Sequence, residues 1–133
     1  MDEFLKYMQI TAQKGDILTA EANLLAVGVY QKENWENDFV ERLNDLLGGK
    51  FKKLARMQDF EGKIGQSILF SAPKELKVEY ILVLGLGNAD DLSLDGIREA
   101  TGVAVQRAKS LGQSKVALEL FGEDEGNSKF NAR

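Results

Sequence analysis

Apolar and polar positions along this chain follow two periods, and the switches between them mark the elements. Residues 23–30, NLLAVGVY, are nearly continuously apolar, as expected of a strand covered on both faces. Residues 36–47 then place Phe39, Val40, Leu43, Leu46 and Leu47 on one stripe, the spacing of a helix whose stop is Gly48-Gly49. The outer side of that helix carries Glu41, Arg42, Asn44 and Asp45. A second short helix is predicted over 50–58, with Phe51, Leu54 and Ala55 inward. After a turn at 59–65 come strands over 66–71 and 78–84, separated by the loop that holds the sole proline, Pro73.

The longest helix is predicted over 95–111, with Ile97, Ala100, Ala104, Ala108 and Leu111 on one stripe. Gly102 lies inside it at a cost of about 1 kcal/mol relative to alanine, and close packing against the sheet is the expected reason. A last apolar strand covers 115–121, and 5–12 is compatible with a first strand ahead of a turn at Gln13-Lys14-Gly15-Asp16. Residues 122–133 are polar and aperiodic, a tail or the start of a linker, so the domain is expected to span 1–121. Strands alternating with helices imply an α/β fold with a mixed, largely parallel central sheet.

Composition narrows the chemistry. At 133 residues the chain suits one domain, and its 44% apolar and 29% charged residues suit a folded globule. A net charge of -4 is a poor basis for binding nucleic acid. The one basic cluster, Lys50, Lys52, Lys53 and Arg56, has the spacing of a solvated helix face. Cysteine and histidine are both absent, which removes disulfides, thiolate nucleophiles, Ser–His catalysis and zinc sites built on these ligands. The start, MDEFLKYMQI, lacks the pattern of a secretion signal, and no apolar run is long enough for a membrane span. The expected compartment is the cytoplasm.

YILVLGLGN at 80–88 raises the question of a phosphate-cradling loop, because ligands of open α/β sheets sit beyond the carboxyl ends of the strands. The dinucleotide fingerprint needs a third glycine at position 90, where this chain has Asp90, and a helix that begins at once. The glycines are therefore expected to ease a strand-to-loop turn. Asp90, Asp91 and Asp95, or Glu123, Asp124 and Glu125, lack the spacing of a calcium loop. Trp35 and Tyr30 are expected at the boundary of the core. No nucleophile, base and oxyanion site come together in the sequence.

Several segments together resemble the N-terminal domain of the leucyl (cytosol) aminopeptidase family: ANLLAVGVYQ at 22–31, DFEGKIGQSILF at 59–70 and YILVLGLGN at 80–88. LDGIREATGVAVQRA at 94–108 and KVALEL at 115–120 follow in the family's order. The resemblance covers about residues 5–121 and implies a three-layer, macro-domain-like α/β fold. It further implies a parent that releases N-terminal amino acids from peptides with two divalent metal ions, zinc or manganese. The metal ligands, catalytic lysine and catalytic arginine of that family lie in a separate C-terminal domain, the expected partner, so no catalytic residue is assigned here. Full-length members assemble as hexamers; this piece alone is expected to be monomeric or weakly self-associating, with its sheet edges the exception to watch.

The macro-like fold implies an alternative, a module that binds ADP-ribose or a related nucleotide. Gly15-Asp16-Ile17 resembles the segment of macro domains whose aspartate contacts adenine. Asp16, Gly85, Gly87 and Asn88 are then the ligand-binding candidates. The chain departs from macro domains after its second strand, where Val27-Gly28-Val29-Tyr30-Gln31-Lys32-Glu33 replaces the asparagine-rich segment and glycine-rich loop.

Overall fold

The computed structural model describes residues 9–12 (as backbone), 22–31 and 35–119. Within them β1 is Gln9–Ala12, β2 Leu24–Val29, β3 Ser67–Ser71, β4 Tyr80–Gly85 and β5 Lys115–Glu119. The helices are α1 (Asp38–Leu46), α2 (Lys50–Met57) and α3 (Leu94–Leu111), with a 3-10 turn at Ala89–Asp91. The sheet has the order β1-β5-β2-β4-β3. All neighbours run parallel except β3, which is antiparallel to β4 at the edge. The expected mixed, largely parallel α/β sheet is what the chain forms.

Alternation within the strands sorts the core into two layers. Leu25, Val27 and Val29 of β2, Ile81 and Val83 of β4, and Ile68 and Phe70 of β3 face α1 and α2. Leu24 and Ala26, Leu82 and Leu84, and Val116 face α3. The first layer is filled with aromatic rings: Trp35 and Phe51 have centroids 5.0 Å apart, and Phe60 and Phe70 lie 6.1 and 6.3 Å from Phe51. Trp35 and Tyr30 are thus core residues rather than boundary ones. In the second layer α3 presents Ala100, Ala104 and Ala108, all buried, with Ile97, Val103 and Leu111 partly buried against the same cluster.

Local chemistry sets the helix ends. Asn37 caps α1 by accepting the Val40 N–H at 2.9 Å, and Ser93 caps α3 by accepting the Gly96 N–H at 3.1 Å. Gly49 precedes α2 and has no side chain to cap it; Asn44 on α1 supplies the cap by accepting the Lys52 N–H at 3.0 Å. Asn44 is therefore not simply an outer-face residue. Each helix ends in paired backbone bonds of the Schellman type, such as Gly48 N–H to Asp45 O and Gly49 N–H to Asn44 O. Lys50, Lys53 and Arg56 are exposed while Phe51 and Ala55 are buried, as the periodicity of α2 predicts.

Gly102 is a correction. It does not pack on the sheet: it sits on the exposed side of α3, and a Cβ added there would meet nothing within 4 Å. The buried stripe of α3 is made by alanine, with Ile97, Val103 and Leu111 beside it, and Gly102 lies off it.

Candidate site at the carboxyl end of the sheet

β2 is followed by α1 on one face of the sheet and β4 by α3 on the other. The carboxyl ends of these paired strands thus form the switch point where ligands of open α/β sheets settle. Three backbone segments meet there: 29–31 after β2, 85–88 after β4, and 62–66 before β3.

Their contact is closer than side chains would allow. A Cβ on Gly85 would lie 2.1 Å from the Lys63 carbonyl oxygen and 2.5 Å from Gly62 C; one on Gly62 would lie 2.4 Å from the Tyr30 carbonyl oxygen. Gly62, Gly65 and Gly87 also hold φ values of 83°, 92° and 78°, in the region that glycine alone enters freely. Hydrogen bonds join the segments. The N–H of Gly85 donates to Gln66 O at 3.0 Å, that of Leu86 to Val29 O at 2.8 Å, and that of Gly87 to Gly62 O at 2.8 Å. The Gln31 N–H donates to Gly87 O at 2.9 Å, and the Trp35 indole N–H to Tyr30 O at 2.7 Å.

Gln66 holds the 62–66 loop in shape. Its Oε1 accepts the N–H groups of Glu61 at 2.9 Å and Lys63 at 3.0 Å, and its Nε2 donates to Asp59 O at 3.1 Å. GKIGQ is therefore an architectural motif: two glycines for close approach and turning, and one amide that ties the loop.

For anion binding the consequence is direct. A phosphate cradle requires unpaired N–H groups converging on one point. Here the amides of Gly85, Leu86 and Gly87 all donate within the protein. Asn88 is exposed, and its Oδ1 accepts the Asp90 N–H at 2.8 Å, capping the 3-10 turn. Asp90 and Asp91 are exposed beside it, and α3 begins only at Leu94. Of the sequence candidates, Gly85, Gly87 and Asn88 are thus together at the strand end; Asp16 lies outside the described residues. Glu123, Asp124 and Glu125 lie outside them too. Among the described residues, no group of three or more His, Cys, Asp or Glu side chains is arranged to hold a metal ion.

One residue escaped the sequence reading. Glu119 closes β5, in register with Val27, and is buried. It stands at the end of an apolar run whose composition hides its charge, and alternation from the buried Ala117 would have placed it inside. No described helix is long and apolar enough to cross a membrane.

Comparison with known proteins accords with this geometry. Residues 26–132 match the model of the cytosol aminopeptidase family, N-terminal domain. A probable cytosol aminopeptidase of Alkaliphilus oremlandii is 28% identical over 119 residues, which cover 90% of this chain and 24% of that protein. One from Haemophilus ducreyi is 31% identical over 86 residues, 65% of this chain and 17% of that protein. The chain spans about a quarter or less of the curated relatives it matches. In fold it is similar to tomato leucine aminopeptidase, with a TM-score of 0.70 at 24% identity over 93% of this chain and 24% of the other. The macrodomain of Mycobacterium tuberculosis DarG follows at 0.64 and 16% identity, over 84% of this chain and 75% of that one. The fold is macro-domain-like, and the chain belongs to the cytosol aminopeptidase family as its N-terminal domain.

Proposed function

We propose that this chain is a non-catalytic domain of a metal-dependent leucyl-type aminopeptidase. The parent would release N-terminal amino acids from peptides with two divalent ions, zinc or manganese, held in a C-terminal catalytic domain. One observation carries the reading: nearly all of this chain aligns with only 24% of a probable cytosol aminopeptidase. The chemistry of its side chains agrees. A two-metal hydrolase needs several ligands around an activated water, and the described residues bring no such set together. The domain's role is then structural or regulatory, alongside the catalytic domain in a full-length hexamer, and the cytosolic naming of its relatives supports a cytoplasmic setting. The test is an assay of the 133-residue chain on a leucine anilide with added zinc or manganese. No turnover is expected; metal-dependent release of the anilide would overturn the proposal.

A second reading has one observation in its favour. Thermosipho africanus DarTG in complex with ADP-ribose is similar in fold, with a TM-score of 0.59 and 14% identity over 83% of this chain and 32% of that one. A site on this chain would use Asp16, Gly85, Gly87 and Asn88. The amide bonds around Gly85 and Gly87 oppose it, as does the acidic Asp90-Asp91 pair. Calorimetric titration with ADP-ribose is expected to show no saturable micromolar binding, about -8 kcal/mol. Such binding, lost on Asp16→Ala, would establish the module reading instead.

A further inference from the structure

Among the described residues β3 is an edge strand whose outer side no other strand pairs. Antiparallel ladders alternate between pairs that exchange two hydrogen bonds and pairs that exchange none. The register between β3 and β4 is unbroken, and two bonds beyond its ends fix the phase: Gly85 N–H to Gln66 O, and Ala72 N–H to Glu79 O. Positions 66, 68, 70 and 72 therefore bond inward to β4. Ser67, Leu69 and Ser71 aim both their N–H and C=O outward, and none has a hydrogen-bond partner among the described residues.

Sheet edges are usually protected by charge, proline, a bulge or a covering element. Ser67–Ser71, SILFS, has no charge, proline or bulge. Its outward-bonding residues all project their side chains to the α3 face, where Leu69 is only partly buried against the core. The edge thus offers a polar backbone template with a small apolar centre flanked by two serines.

We propose that β3 pairs antiparallel with β3 of a second copy of this chain. A two-fold axis normal to the sheet, midway between the two strands at the level of Leu69, sets Leu69 opposite Leu69 and Ser67 opposite Ser71 of the other copy. Each of these pairs consists of outward-bonding residues, so each exchanges two hydrogen bonds. Cross-strand neighbours are then Leu with Leu and Ser with Ser, with no like charges opposed. The strand fits itself, because its ends carry the same residue and its centre is the apolar one. A sheet continuous across both copies results. The contact is short beside the roughly 1,000 Å² of a stable interface, so the dimer is weak and concentration-dependent. This holds whether or not the aminopeptidase reading does.

Sedimentation equilibrium from about 10 µM to about 1 mM, the range of a weak complex, tests it on the 133-residue chain. The mean mass should rise from 14.7 kDa towards twice that value. Ser71→Lys adds an edge charge at an exposed position, and Ser67→Pro removes an outward N–H at the start of the strand, where proline is tolerated. Each should hold the chain monomeric with an unchanged circular dichroism spectrum; should Ser67→Pro fold poorly, Ser71→Lys decides. Register is read with cysteines, since the chain has none of its own. The double variant Ser67→Cys, Ser71→Cys should cross-link with a short thiol reagent, while either single variant should not, its thiols being about 13 Å apart along the strands. A monomer throughout, a dimer that survives Ser71→Lys, or cross-linking by a single variant would overturn the proposal. So would association with an unrelated strand peptide in preference to a second copy.

Discussion

Gly85 and Gly102 are both glycines within regular elements, and their surroundings are opposite. Gly85 ends β4 with the Lys63 carbonyl oxygen 2.1 Å from where its Cβ would be; Gly102 lies in α3 with nothing within 4 Å. The first is required by a backbone contact between segments far apart in sequence. The second meets no requirement among the described residues and loosens its helix. A glycine is thus evidence of close packing only when something is there to pack, and the carboxyl end of the sheet is where this chain spends its glycines to effect.

The sharpest way to break that contrast is Gly85→Ala. The obstructing atoms are backbone and cannot rotate away, so the 62–66 loop must move and the three amide bonds with it. A loss of about 3 kcal/mol is expected, the upper end for overpacking, read as a lower urea midpoint with unchanged slope. A stability within 0.5 kcal/mol of the parent, on the same order as a neutral surface change, would show that the loop yields easily.

Gln66→Ala asks whether the loop needs its tie. Three hydrogen bonds are lost, but the residue is only half-buried and water replaces part of them. About 1–2 kcal/mol is expected, with faster amide exchange at Gly85 and Gly87 before global unfolding. Equal exchange in both proteins would remove the role assigned to Gln66.

Gly102→Ala should act in the other direction. Alanine restores helix propensity at an exposed, unobstructed position, for a gain of about 1 kcal/mol and a melting temperature higher by about 3–6 °C. A loss of stability would reveal a contact to that face. The smallest effect belongs to Glu41→Ala, which removes the 2.7 Å bridge to Lys52 between α1 and α2. Both side chains are more than a third exposed, so less than about 0.5 kcal/mol is expected.

The sequence by itself determined the elements to within two residues at each end: 23–30 as a buried strand, 36–47 and 50–58 as amphipathic helices, 95–111 as the long helix. Each is written in the spacing of residues a few positions apart, because strand and helix periods are local. It also identified the strand end at Gly85 to Asn88 as the place to look and, through several segments in the family's order, the family. Only the tertiary structure decided that β5 inserts between β1 and β2. Only it gave Asn44 to the cap of α2, and only it used up the amides of Gly85 and Gly87 on the carbonyls of Gln66 and Gly62, far back along the chain. Strand order and loop contact depend on residues remote along the chain meeting in space, and no short-range period records such meetings. The same holds for the edge of β3: its apolar alternation is visible in the sequence, but which of its backbone groups lack partners depends on the one strand that pairs with it.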